Sequence, residues 1–177
     1  MHYIYTAVVV SAAGGSGFWG MKQRFYVDTS VFGGVYEPEF ERESNQFFDL
    51  VKAGRIVCLC SDVMERELGK APPHVREFFE NDLSDADKER FIVSSEALEL
   101  AQAYIDEKVI GKKHLGDCVH IAAATIKMAD VLVSWNFRHI VGLSRVRDYN
   151  IVNMKRGYPV LNIRSPREIV GSLWNQN

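Results

Sequence analysis

The stretch from Leu115 to Phe137 constrains the fold most, because a long apolar segment leads there directly into a short β-branched run. Residues 118–128 contain a single ionised side chain, Lys127, which predicts a helix buried on most sides. Val131–Ser134 then has the composition and length of a buried strand. A buried helix followed at once by a buried strand is typical of an α/β sheet.

The rest of the chain alternates in the same way. Apolar runs predict strands at residues 24–27, 56–60 and 158–163. Helical spacing predicts helices at residues 41–53, 62–69, 95–109 and 143–154, and a last helix that begins at Pro166. Gly33-Gly34 is expected to turn the chain, and residues 82–89 to form a solvated acidic loop. We therefore expect a single three-layer α/β/α domain with a mostly parallel central sheet.

Four oxygen-bearing side chains are expected at one edge of that sheet. Asp28 and Asn136 each follow a predicted strand, and Asp117 stands at the entrance of the buried helix. Glu67 lies three or four residues after the apolar Val63 and Met64, so it points toward the core side of its helix. Carboxyl ends of parallel strands and helix N-termini collect ligands in such sheets.

Three carboxylates held close together repel one another unless a cation lies among them. Oxygen ligands favour Mg²⁺ or Mn²⁺ over zinc. Asp28, Glu67 and Asp117 are therefore the expected metal ligands, and hydrolysis of a phosphodiester is the reaction such a site performs.

Each of these residues has a structural alternative. Asp28 and Asp117 can act as helix caps, and Glu67 can lie at the edge of an apolar stripe with its carboxylate in water. His120, one turn after Asp117, is either a hydrogen-bond donor to the site or a core histidine. Trp135 and Phe137 are interpreted as packing residues.

From residue 21 onwards these motifs, taken in order, resemble the PIN-domain nucleases and, more closely, the VapC-like toxins of toxin–antitoxin pairs. The matching segments are Asp28-Thr29-Ser30, Glu67-Leu68, and Asp117 before the Ala-rich run that follows it. The resemblance implies an Asp/Glu metal site with catalytic Asp28, Glu67, Asp117 and Asn136, endoribonuclease activity, a homodimer, and an antitoxin docked on the early helices. Thr29 and Ser30 are expected beside the substrate.

Asn136 departs from the family pattern, which usually has Asp at that position. A neutral carbonyl predicts weak binding of a second metal. An alternative function is therefore a catalytically weak RNA- or protein-binding module. A haloacid-dehalogenase-like phosphatase or a receiver domain fits less well, since no second acid lies two positions after Asp28 and none lies beside it.

The charge is uneven along the chain. The formal net charge of -2 excludes a strongly basic nonspecific nucleic-acid binder. Residues 138–167 nevertheless hold seven basic side chains against one acid, Asp148. We expect Arg138, Arg145 and Arg147 to contact RNA, with a solvated helix face as the alternative.

The compartment and the chain ends also allow predictions. Cys58, Cys60 and Cys118 lie in apolar runs, which indicates free thiols in a reducing, cytoplasmic setting. No run approaches the ~18 apolar residues of a membrane span. Residues 1–20 are interpreted as an upstream extension before a domain at residues 21–177, and a secretory signal is the alternative.

Overall fold

The computed structural model describes residues 22–174. The predicted extension at residues 1–20 and the start at Met21 lie outside the described residues. Within them, five strands form one sheet: β1 (Gln23–Val27), β2 (Ile56–Ser61), β3 (Lys88–Phe91), β4 (Val131–Val133) and β5 (Ile163–Arg164). Their order is β3-β2-β1-β4-β5, and every neighbouring pair is parallel.

The α-helices lie on both faces of this sheet. They are α1 (Thr29–Gly34), α2 (Glu41–Lys52), α3 (Asp62–Leu68), α4 (Pro73–Glu77), α5 (Ser95–Asp106), α6 (Leu115–Ile126), α7 (Leu143–Lys155) and α8 (Pro166–Trp174). One apolar core joins α1, α2 and α8 to the sheet, and the other joins α5, α6 and α7 to it. The predicted three-layer α/β/α arrangement is confirmed.

The two cores follow from the alternation of side chains along each strand. Phe25 and Val27 of β1 point into the core of α2, whereas Tyr26 between them points into the core of α6. Because all three are at most 2% exposed, the central strand is covered on both faces. Asp28, the residue that follows β1, therefore lies at the middle of the sheet's carboxyl edge.

Helix α6 is buried, as its apolar sequence predicts. All side chains from Cys118 to Thr125 are buried, and α6 packs closely along α5. The helix begins at Leu115, two residues before Asp117. Ser61 caps α3, since its hydroxyl accepts the Met64 N–H at 3.1 Å.

The expected turn at Gly33-Gly34 is wrong, because both residues belong to α1. Gly34 is required there for a close approach. A Cβ on it would lie 2.6 Å from the Ser44 hydroxyl oxygen and 2.8 Å from the Trp135 indole nitrogen. Trp135 follows β4, so this contact packs the end of α1 against the residue that follows that strand.

Both edge strands differ from the sequence prediction. The acidic loop contains β3, whose charged composition hid it: Lys88 is buried over the Phe79 ring, at 4.7 Å, and Arg90 pairs with Glu65 at 2.8 Å. Charged side chains are common on edge strands because they discourage pairing with another chain.

The last strand is shorter than the predicted residues 158–163. The Asn150 side chain takes the place of a neighbouring strand at Leu161, since it accepts the Leu161 N–H at 2.8 Å and donates to its carbonyl at 3.0 Å. Pro159 has no N–H to offer a ladder. Regular pairing is therefore confined to Ile163 and Arg164.

Candidate active site

The four side chains singled out in the sequence meet in one cleft of about 280 Å³ at the carboxyl edge of the sheet. Its lining residues are Asp28, Thr29, Ser30, Glu67, Lys113, His114, Gly116, Asp117, His120 and Asn136. The parallel sheet explains this convergence, because β1, β2 and β4 all end on the same side.

Asp28 is held at the floor of the cleft by hydroxyl groups. Its backbone N–H donates to the Val133 carbonyl at 2.9 Å, so the residue is fixed at the junction of β1 and β4. One carboxylate oxygen, Oδ2, accepts from Ser30 at 2.5 Å and from Ser134 at 2.7 Å. Asp28 occupies the N-cap position of α1, but its side chain makes no capping hydrogen bond to that helix.

Glu67 reaches the cleft from α3, the helix that follows β2, and β2 is the neighbour of β1 in the sheet. Its side chain is 42% exposed, and its Oε2 accepts from the Thr29 hydroxyl at 3.2 Å and lies 3.0 Å from His120 Nε2. The hydrogen bond from His120 holds the pKa of Glu67 below its usual value, although burial opposes this. Glu67 is therefore an ionised carboxylate directed at the cleft.

His120 connects the cleft to the core. Its Nδ1 lies 2.7 Å from the Tyr26 hydroxyl, which lies 2.8 Å from the Ser61 hydroxyl. Burial lowers the pKa of His120, but the hydrogen bond to Glu67 and the charge of Asp28 raise it more, so the net shift is upward. His120 is therefore both a core histidine, at 3% exposure, and a hydrogen-bond partner of the cleft carboxylate Glu67.

Asp117 stands in the first turn of α6, where the helix dipole favours a negative charge. It is not the N-cap residue, which is His114. Burial raises the pKa of Asp117 and the charge of Asp28 adds to the rise, while His139 opposes it. The carboxylates of Asp28 and Asp117 are thus close enough to repel each other.

Asn136 is a hydrogen-bond donor to the acidic group. The His139 backbone N–H donates to Asn136 Oδ1 at 3.0 Å, and a backbone N–H can only donate, so the orientation of the amide is fixed. Its Nδ2 therefore donates to Asp117 Oδ1, at 3.0 Å. The amide stabilises the Asp117 carboxylate where an acid would repel it.

Three residues that sequence reasoning missed contribute to the cleft. Ser134 donates to Asp28, and His114 and His139 place Nδ1 atoms 3.5 Å and 3.3 Å from Asp117 Oδ2. His114 is three residues before Asp117, a spacing that the sequence shows. His139 comes close only through the turn after β4, which no sequence pattern marks.

The arginines predicted to bind RNA are not part of the cleft lining. Arg138 is exposed on the turn after Asn136, and Arg145 donates to the Val109 carbonyl beside a separate hollow. Arg147 pairs with Asp148 at 3.7 Å. The basic side chain that does line the cleft is Lys113. Binding of RNA by the three arginines stays a prediction, as does substrate contact by Thr29 and Ser30.

The donor set suits a hard divalent cation. Hydroxyl, imidazole and amide groups contact Oδ2 of Asp28, Oε2 of Glu67 and Oδ1 of Asp117, and the imidazoles of His114 and His139 approach the second Asp117 oxygen. The cleft thus presents carboxylate oxygens that neighbouring side chains hold in place, and oxygen is the ligand atom that Mg²⁺ and Mn²⁺ prefer.

Comparison with solved structures finds the same fold. A chain of DNA-bound VapBC from Salmonella typhimurium is 16% identical, with 81% of this chain and 98% of that chain covered at a TM-score of 0.51. A chain of VapBC2 from Rickettsia felis bound to a promoter DNA fragment is 14% identical, with the same coverage and a TM-score of 0.48. No protein-family model and no curated protein matches the chain. The Salmonella chain confirms the expected PIN-like fold.

Proposed function

We propose that this protein is a metal-dependent endoribonuclease that hydrolyses RNA phosphodiester bonds. The observation that carries the proposal is the meeting of Asp28, Glu67 and Asp117 in one cleft at the carboxyl edge of a PIN-like sheet. Each comes from a different element, and a fold has no structural need to bring three acids together there. Such a cluster is costly unless it binds a cation.

Asp28, Glu67 and Asp117 would hold Mg²⁺ or Mn²⁺. When bound, a divalent ion supplies a water of lowered pKa and neutralises charge that develops on the phosphate. The protein's own groups fix the carboxylates: Ser30 and Ser134 hold Asp28, and Thr29 and His120 hold Glu67. Such preorganisation avoids the cost of orienting ligands during the reaction.

Asn136 completes the site as a positioning residue. Its amide N–H orients Asp117, and its carbonyl is occupied by the His139 N–H. Because it adds no charge, we propose that the cleft holds one ion well and a second ion weakly through its acids alone. Lys113 at the rim supplies a positive charge that a phosphate of the substrate can contact.

RNA rather than another phosphodiester is proposed from the motif resemblance, and so is a role as the toxin of a toxin–antitoxin pair. The fold shared with a chain of a VapBC complex supports an antitoxin partner. We further propose a homodimer.

We propose the cytoplasm as the working compartment. Cys58, Cys60 and Cys118 are all free and buried, as expected of a protein kept in reducing conditions. Among the described residues, no helix is long and apolar enough to cross a bilayer.

The test is cleavage of defined RNAs by the purified full chain with Mn²⁺. We expect cleavage that EDTA abolishes and that Asp117→Asn reduces by at least ~100-fold, about 2.7 kcal/mol of transition-state stabilisation. The matched control is Asp106→Asn, because Asp106 is an exposed carboxylate on α5 that accepts only from Gln102.

Equal activity of the two variants would contradict the proposal. RNA binding without any cleavage, in wild type and Asp117→Asn alike, would instead favour the weak binding module. The observation that supports this alternative is the neutral Asn136, which leaves the cleft one charge short of the family pattern.

A further inference from the structure

His114, Asp117 and His139 form a second group of potential ligands beside the acidic cleft. One donor atom from each lies within 4.8 Å of the other two. The imidazole rings are 3.8 Å apart between centroids, at an interplanar angle of 42°. Two imidazole nitrogens and one carboxylate form a different set of metal ligands from the three carboxylates of the acidic cleft.

The two histidine–carboxylate separations match those of a tetrahedral metal site. The His114 and His139 Nδ1 atoms lie 3.5 Å and 3.3 Å from Asp117 Oδ2, longer than most N–H···O hydrogen bonds. Ligand atoms at zinc's bond lengths of ~2.0–2.2 Å and tetrahedral angles are separated by roughly 3.3–3.5 Å. Octahedral ligands at the same bond lengths would be closer together, at about 3.0 Å.

The backbone holds both histidines in place. The His114 N–H donates to the Gly111 carbonyl at 2.9 Å, and the His139 N–H donates to Asn136 Oδ1 at 3.0 Å. The His139 carbonyl also accepts from the Tyr149 hydroxyl at 3.0 Å. These contacts fix the backbone from which each imidazole extends toward Asp117.

The site is open to solution. The side chains of His114, Asp117 and His139 are 21%, 22% and 18% exposed, which lets an ion enter and leaves a coordination position for water. Open positions of this kind distinguish reactive or regulatory metal sites from closed structural ones.

We propose that His114, Asp117 and His139 bind a divalent transition metal of borderline softness, of the Zn²⁺ class, at a site separate from the Mg²⁺ or Mn²⁺ position. Imidazole nitrogen selects such ions, whereas Mg²⁺ prefers oxygen. Asp117 belongs to both groups, and the histidines belong only to this one. The inference goes beyond the proposed nuclease activity and does not depend on it.

The test is titration of the full chain with Zn²⁺ by calorimetry, without Mg²⁺, because Asp117 belongs to both groups and Mg²⁺ would compete for it. We expect His114→Ala and His139→Ala each to weaken Zn²⁺ binding by at least ~10-fold. His74→Ala is the matched control, since His74 is exposed on α4 and its ring packs edge-on against Tyr36. Its affinity should equal that of the wild type.

Co²⁺ gives a second readout that needs no variant. A tetrahedral site should produce intense visible absorption in the wild-type protein, and Zn²⁺ should displace it. Asp28→Asn removes a carboxylate from the acidic cleft and none from this group, so it should weaken Mn²⁺ binding more than Zn²⁺ binding.

The proposal is overturned if both histidine variants keep the wild-type Zn²⁺ affinity, or if His74→Ala loses as much as they do. It is also overturned if Co²⁺ shows only the weak spectrum of the hydrated ion. None of these readouts involves RNA, so a failure of the proposed nuclease activity would leave them intact.

Discussion

The acidic cleft and the basic segment at residues 138–167 show how differently two charged regions are built. In the cleft, Asp28 is 5% exposed and is held by two hydroxyl groups, and Glu67 is held by His120. In the basic segment, Arg147 is 77% exposed and its ion partner is the adjacent Asp148. A pair this exposed contributes little to stability. Charged side chains that hydrogen bonds hold in one orientation are a better sign of function than charged side chains that are only numerous.

The largest expected effect comes from giving the cleft a fourth acid. In Asn136→Asp the Asp117 carboxylate loses a hydrogen bond and gains a like charge at the 3.0 Å contact. Without metal, we expect the free energy of unfolding to fall by about 1–3 kcal/mol. With metal, the additional charge should raise the Mn²⁺ affinity by about tenfold, which is ~1.4 kcal/mol.

The matched control for this variant is Asn162→Asp, because Asn162 is exposed and lines a hollow with Gln23, at the start of β1 and away from the cleft. It adds the same charge to the protein without approaching Asp117. Thermal unfolding with EDTA and calorimetry with Mn²⁺ separate the two contributions. Identical behaviour of the two variants would mean that Asn136 takes no part in the site.

The next largest effect is on RNA binding, where a basic residue of the cleft is compared with one of the basic segment. Lys113 lines the cleft, so Lys113→Ala should weaken RNA binding by about fivefold, or ~1 kcal/mol, and reduce the salt slope by about 1. Arg147→Ala should have a smaller effect on both, because Arg147 lies outside the cleft lining and pairs with Asp148. Filter binding at several salt concentrations measures this, with Asp117→Asn in every protein so that the RNA stays intact.

The reverse result, a flatter salt dependence for Arg147→Ala and none for Lys113→Ala, would return the RNA-binding role to the basic segment. That outcome would support the sequence-based prediction that Arg138, Arg145 and Arg147 contact RNA.

The smallest effect concerns the pH dependence of the Glu67–His120 pair. Burial acts to lower the pKa of His120, but Glu67 and Asp28 raise it above 6.5, so its contribution to stability is complete below pH ~6.5 and is lost as the pH rises through the folded-state pKa. The pKa of Glu67 is lowered, chiefly by His120, so its contribution is lost only in acid.

His120→Gln keeps hydrogen-bonding capacity without a titrating group. Without metal, its unfolding temperature should lie a few degrees below that of the wild type near pH 6, and the gap should narrow toward alkaline pH. His74→Gln controls for the loss of a histidine. A gap that stays constant from pH 6 to 9 would show that His120 acts through packing alone.

The sequence predicted the buried parts of this molecule well, for a physical reason. Strand β4 and helix α6 consist almost wholly of apolar side chains, and burial of apolar surface dominates the choice of structure there. The convergence of Asp28, Glu67 and Asp117 followed from the parallel topology that this pattern implies.

The sequence failed where individual polar contacts decide the structure. The edge strand β3 was hidden because its charged side chains are satisfied by residues far along the chain, such as Glu65 with Arg90. The role of Asn136 as a donor depends on a single backbone N–H from His139. Contacts of this kind depend on three-dimensional placement and leave no periodic pattern.

The central claim, that three carboxylates share one cation, is tested most directly by Mn²⁺ calorimetry on Asp28→Asn, Glu67→Gln and Asp117→Asn, with Asp106→Asn as the control. We predict one strong Mn²⁺ site in the wild type and in the control, and a loss of at least ~10-fold in affinity for each of the three cleft variants. Wild-type Mn²⁺ affinity in any two of the three would contradict the shared site.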